Sequence, residues 1–157
     1  VAEIHFEDLV PGAVFDLGRT VVDADEMIAF ARRFDPQPFH LDAEAGKAVF
    51  GGIAASGWFT AALWMRAYVD HLLSRSASLG SPGGDEVAWP APVFAGDELR
   101  AAMEVLDTRV SRSRPELGLV TLRGTMTRVA DDRLVYRSRF TGMFGLRHPA
   151  PVTRAAR

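Results

Sequence analysis

The sequence predicts an α+β domain in which a curved antiparallel sheet wraps one long helix. Three observations carry that prediction. The segment from Ser56 to about Leu73 has helical spacing and is apolar on nearly every side, through Trp58, Phe59, Leu63, Trp64, Tyr68 and Leu72. From Leu99 onward the period changes to two, and the alternation continues as far as Phe144. The chain has 157 residues, the length of one ordinary domain, so helix and strands must share one core.

The elements follow in order. Val14 to Val21 is a weak strand candidate. Asp23 then caps a helix, with Glu26 three residues on reaching back, and Met27, Phe30, Ala31 and Phe34 form its apolar stripe. Pro36 ends that helix near Asp35, because the residue before a proline avoids helical geometry. Asp42 caps a short helix running to about Val49. After the long helix, Ser74 to Gly84 is loop by composition, and Glu86 to Trp89 is a second weak strand. Leu99, Ala101, Met103 and Val105 then alternate with Arg100, Ala102 and Glu104. Val120, Leu122 and Met126, and later Leu134, Tyr136, Phe140 and Phe144, repeat the pattern. Arg114-Pro115-Glu116 and Asp131-Asp132 supply the turns. An all-round apolar helix followed by antiparallel strands is the hot-dog arrangement. Residues 1–146 form its single domain, with a flexible tail over 147–157.

Composition removes several function classes. Lys+Arg 18 against Asp+Glu 20 leaves a net charge of -2, so no field attracts nucleic acid. Cysteine is absent, which excludes disulfide scaffolds, thiol nucleophiles and Cys-rich zinc sites. The first eight residues carry neither a basic stretch nor an apolar core, so no signal peptide is read there and a cytoplasmic location is expected. Ala48 to Met65 is uncharged for 18 residues, but Gly51, Gly52 and Gly57 suit a buried helix better than a membrane span. No membrane partner is expected.

Two stretches can carry chemistry. In Asp35-Pro36-Gln37-Pro38-Phe39-His40-Leu41-Asp42, two prolines stiffen the backbone between a carboxylate and an imidazole. Such a loop can aim Asp35 and His40 at one small volume as a general acid/base unit. The second stretch, Gly51-Gly52-Ile53-Ala54-Ala55-Ser56-Gly57, opens the long helix. Its Gly57 N–H is a candidate donor to a carbonyl oxygen that gains negative charge, and Ser56 is read as a helix cap. His5, His71 and His148 are scattered, so neither a metal nor another cofactor is expected.

Together these stretches resemble the MaoC-like family of (R)-specific enoyl-CoA hydratases and acyl dehydratases. The family signature, Asp-x-Asn-Pro-x-His-x-Asp, is met at Asp35, Pro38, His40 and Asp42. The stretch from Ser81 to Asp97 looks like the family's strand and turn after the central helix, and the likeness spans roughly Phe6 to Gly145. Gln37 stands where the family has Asn, and Ser56 where many members have His. The resemblance implies that Asp35 and His40 activate a water for C3 of a trans-2-enoyl thioester, with Gly57 N–H stabilising the enolate. The substrate would be an acyl-CoA or acyl-carrier-protein thioester.

Two other readings compete. A hot-dog thioesterase usually places a carboxylate on the central helix, and none lies between Ser56 and Asp70 here. A non-catalytic acyl-binding subunit is expected to lose Asp35 or His40, and both are present. His71 reads as a structural residue at the helix end, Trp58 and Trp64 as core or interface, and Arg109, Arg112 and Arg114 as a solvated strand end. An unpaired sheet edge makes a homodimer, or a multiple of it, the expected assembly.

Overall fold

The computed structural model describes residues 2–149. Its elements are β1 (Val14–Val21), α1 (Ala24–Phe34), α2 (Ala43–Phe50), α3 (Gly57–His71), β2 (Gly83–Ala88), β3 (Glu98–Val110), β4 (Leu117–Arg128) and β5 (Arg133–Gly145). The strands form one antiparallel sheet in the order β1-β3-β4-β5-β2, with β1 and β2 at its edges. The inner face carries the predicted alternating residues of β3 and β4, and Tyr136, Phe140 and Phe144 of β5. A bulge in β5 puts Val135 in the core in place of Leu134, which pairs with Thr127. Helix α3 lies against this face. This is the hot-dog fold.

Trp64 shows how tightly helix and sheet meet. Its indole lies over Gly124 of β4, where an added Cβ would come within 2.6 Å of the ring. Its Nε1 donates to the Ala102 carbonyl of β3 at 3.0 Å, so the one polar atom of the ring is satisfied inside the core. Tyr68 stacks on it at 4.9 Å, with Phe140 and Tyr136 at 5.5 and 6.0 Å. At the end of α3, His71 Nδ1 lies 3.1 Å from the Ala67 carbonyl, and its ring packs on Gly18, a left-handed position in a bulge of β1.

The helix is less enclosed than its composition predicts. Phe59, Thr60, Trp64 and Tyr68 are buried, whereas Trp58 is 58% exposed and Met65 and Val69 are also exposed. The sheet curves round one side of α3 only, so the opposite apolar stripe faces outward. The loop composition of Ser74 to Gly84 likewise hides the start of β2. Gly83 and Gly84 pair with Thr141 and Phe140, and β5 backbone leaves no room for a Cβ at Gly84. A glycine that reads as loop is here a close approach between strands.

Arg109 and Arg112 are exposed at the far end of β3, and Arg114 pairs with Glu116 at 2.8 Å. At the head of the tail, the Arg147 N–H donates to the Glu7 carboxylate at 3.0 Å, and its guanidinium pairs with Asp8. Residues 150–157 of the expected tail lie outside the described residues. Among the described residues no helix is long and apolar enough to cross a membrane.

Candidate active site

Asp35 and His40 are brought together by the way α1 stops. The Asp35 N–H still donates to Ala31 at 2.9 Å, but its φ/ψ of −149°/64° leaves helical space, as Pro36 requires. The chain then makes a 3-10 turn over Pro38–His40, and the Leu41 and Asp42 N–H groups both return to the Pro38 carbonyl. Asp42 closes the loop by accepting the Ala45 N–H at 2.9 Å at the start of α2.

The turn buries His40 (6% exposed) with Nε2 3.3 Å from Asp35 Oδ2. Nδ1 lies 2.7 Å from the Ala54 carbonyl oxygen. A carbonyl only accepts, so Nδ1 carries a proton, and the lone pair of the ring's neutral form lies at Nε2. Ala54 is itself fixed by a bridge to Phe94, and the next residue donates to Val93 at 2.8 Å. His40 is therefore held from outside the loop.

Ser56 corrects the capping expectation. It occupies the N-cap position of α3, and its carbonyl accepts from Phe59 and Thr60 at 3.0 and 3.2 Å. Its hydroxyl makes no capping bond and donates instead to Asp35 Oδ2 at 2.7 Å. A charge-assisted bond to a carboxylate outweighs a neutral cap. Gln37 Nε2 donates to the other oxygen, Oδ1, also at 2.7 Å. The Ser56 hydroxyl is the main influence holding the Asp35 carboxyl below its ordinary value; partial burial opposes it, and Gln37 and His40 add to it. Asp35 is a carboxylate at neutral pH.

His40 forms part of the wall of a cavity of about 330 Å³, together with Phe39, Gly57, Thr60, Trp89 and Val93. Gly57 is the first residue of α3, where the N–H has no partner within the helix. The Trp89 indole lies so close that a Cβ at Gly57 would meet it at 2.6 Å. A larger cavity of about 590 Å³ lies further along α3, against Trp64, Tyr68 and Phe140, but its walls include none of Asp35, His40 and Gly57. The smaller cavity brings His40 and the start of α3 to one wall, and Asp35 adjoins it through His40 without lining it. Among the described residues no three His, Asp or Glu side chains converge as around a metal ion.

Three contributors escape a reading of motifs alone. They are the Ala54 carbonyl, the Ser56 hydroxyl turned toward Asp35, and Trp89 with the proline-rich segment after it. The Pro90-Ala91-Pro92 run is the one available signal, since it marks a stiff non-helical wall.

The fold and the site define a hot-dog protein with an Asp–His pair beside an apolar cavity at the start of its central helix. The chain matches the MaoC like domain over residues 9–125 and belongs to the MaoC-like dehydratase family. It is 40% identical to a MaoC-like dehydratase from Rhodospirillum rubrum, whose crystal structure matches with a TM-score of 0.81 over 92% of this chain and 99% of that one. YdeM of Bacillus subtilis, an uncharacterized protein, is 32% identical over 120 residues, covering 76% of this chain and 84% of the relative. The (R)-hydratase PhaJ1 from Pseudomonas aeruginosa, 20% identical, shares the fold with a TM-score of 0.70 over 97% of each chain.

Proposed function

We propose that the protein is an enoyl-thioester hydratase, or acyl dehydratase in the reverse direction, acting on an acyl-CoA or acyl-carrier-protein thioester. The observation that carries this reading is the convergence of two proton acceptors, His40 Nε2 and Asp35 Oδ2, 3.3 Å apart beside the cavity. Neither can donate to the other while Asp35 is ionised and the ring is neutral. A water can donate one hydrogen to each, which leaves its lone pairs free to attack.

In hydration, that water forms a C–O bond to C3 of the trans-2-enoyl group and gives up a proton to the pair. The electron pair of the double bond moves through C2 into the thioester carbonyl. Gly57 N–H holds the resulting enolate oxygen, a contribution of about 3 kcal/mol when one such donor acts alone. The stored proton is then delivered to C2, and the product is a 3-hydroxyacyl thioester. Turnover of a short panel of enoyl thioesters, with the chirality of the product determined, tests the assignment. No 3-hydroxyacyl product at any chain length would contradict it.

The same reading includes a dimer. β2 is an unpaired edge, and Val87 on it, together with Trp58, Trp89, Met65 and Val69, leaves apolar surface uncovered beside it. A second copy that continues the sheet satisfies the ladder and covers those side chains. Mass measurement in solution at micromolar concentration is expected to give a dimer or a multiple of it. A fully active monomer would refute the interface.

A further inference from the structure

The Asp35 carboxylate is gripped from two sides by neutral donors that belong to different parts of the chain. Ser56, buried at the start of α3, reaches Oδ2 across 21 residues, while Gln37, exposed in the loop, reaches Oδ1 from two residues away. These are the two positions at which the chain departs from the signature it otherwise resembles, and both departures converge on one carboxylate. We propose that Ser56 and Gln37 are positioning residues that clamp Asp35 as an oriented carboxylate and leave His40 Nε2 as the proton acceptor of the site. The proposal rests on the reading of Asp35 and His40 as a hydration pair.

The division of labour follows from the donors. A carboxylate oxygen that already accepts a hydrogen bond has given up part of its basicity, because protonating it competes with a bond made to the charged form. Both oxygens of Asp35 are engaged in this way. His40 Nε2 is in the opposite condition. Its ring proton is fixed at Nδ1 by Ala54, so the lone pair at Nε2 is open, and the imidazolium formed there faces the ionised Oδ2. When water attacks C3, the O–H bond that breaks gives its proton to Nε2. The imidazolium then returns that proton to C2, and Asp35 stays ionised throughout.

Ser56 has one further consequence for the geometry. Its oxygen is fully buried and its one side-chain hydrogen bond goes to Asp35, so the hydroxyl is committed to holding the carboxylate.

The test is the titration of the Asp35 carboxyl followed by carbon NMR, in the wild type, Ser56→Ala, Gln37→Ala and the double variant. Each single change removes a donor to the charged form, so the midpoint is expected to move to higher pH, furthest in the double variant. The acidic limb of kcat/KM should move with it, and kcat should fall about tenfold per lost bond while KM changes little. Gln37 is exposed, so its variant tests the clamp even where Ser56→Ala folds poorly. A midpoint unmoved in the folded variants, or a loss of rate with the acidic limb in place, would overturn the proposal. The carboxyl titration needs no turnover, so a shifted midpoint in a protein that hydrates nothing supports the clamp while the hydratase reading fails. Hydration that is lost in Asp35→Asn, beside an unmoved midpoint, overturns the clamp and leaves the hydratase reading standing.

Discussion

Asp35→Asn and His40→Ala are each expected to lower enoyl-thioester hydration by at least about a hundredfold, the range for a lost acid/base group. Both changes leave the hydrophobic core untouched, since neither residue belongs to the cluster built round Trp64. Asn keeps the size of Asp35 and can still bond Ser56 through its carbonyl, but it carries no charge to face an imidazolium. Ala at position 40 removes the one ring whose lone pair is directed at the site. The two side chains hold one water between them, so the double variant should be little worse than either single one. Additive losses, or an active His40→Ala, would break the paired site into unrelated residues.

The largest expected effect on stability comes from Trp64→Ala. The ring is almost fully buried, stacks on Tyr68 and meets Phe140 edge to face, and β4 has a glycine opposite to admit it. Truncation removes these contacts and the hydrogen bond from Nε1 to the Ala102 carbonyl. A loss of about 3–5 kcal/mol follows for a large aromatic in such a site. For a chain of this size that corresponds to a fall in Tm of roughly 10 °C. A thermal unfolding midpoint within about 2 °C of the wild type would show that the helix is held by something other than this cluster.

The fold is legible because two periods coexist in the sequence and each has one structural solution. Leu99, Ala101, Met103 and Val105 can share a face only as a strand, and the spacing of Phe59, Trp64 and Tyr68 makes a buried face only on a helix. Contact between distant segments is what the sequence hides. The exposed side of α3 escapes because composition counts apolar residues without saying which of them the sheet reaches, and Trp58 and Trp64 look alike on that measure. The loop carrying Asp35 and His40 stands out through its prolines, which act locally. A purely local reading also gives the Ser56 hydroxyl to its own helix. Its actual partner is 21 residues back, and only the folded chain reveals that a carboxylate sits within reach.

The fate of the thioester separates hydration from hydrolysis. A loop stiffened by Pro36 and Pro38 holds its water at one place relative to a carbonyl fixed by Gly57 N–H. Misplacement by about 1 Å can already cost about a hundredfold in rate. A water aligned on C3 is not aligned on the carbonyl carbon two bonds away, so one reaction should dominate. The assay follows enoyl absorbance and free thiol together, using a crotonyl or longer enoyl thioester, a thiol-trapping dye and the Asp35→Asn protein as the blank. Enoyl absorbance is expected to fall while no thiol appears. Thiol release that matches or exceeds enoyl loss, and vanishes in the blank, would contradict the hydratase assignment and make the protein a thioesterase.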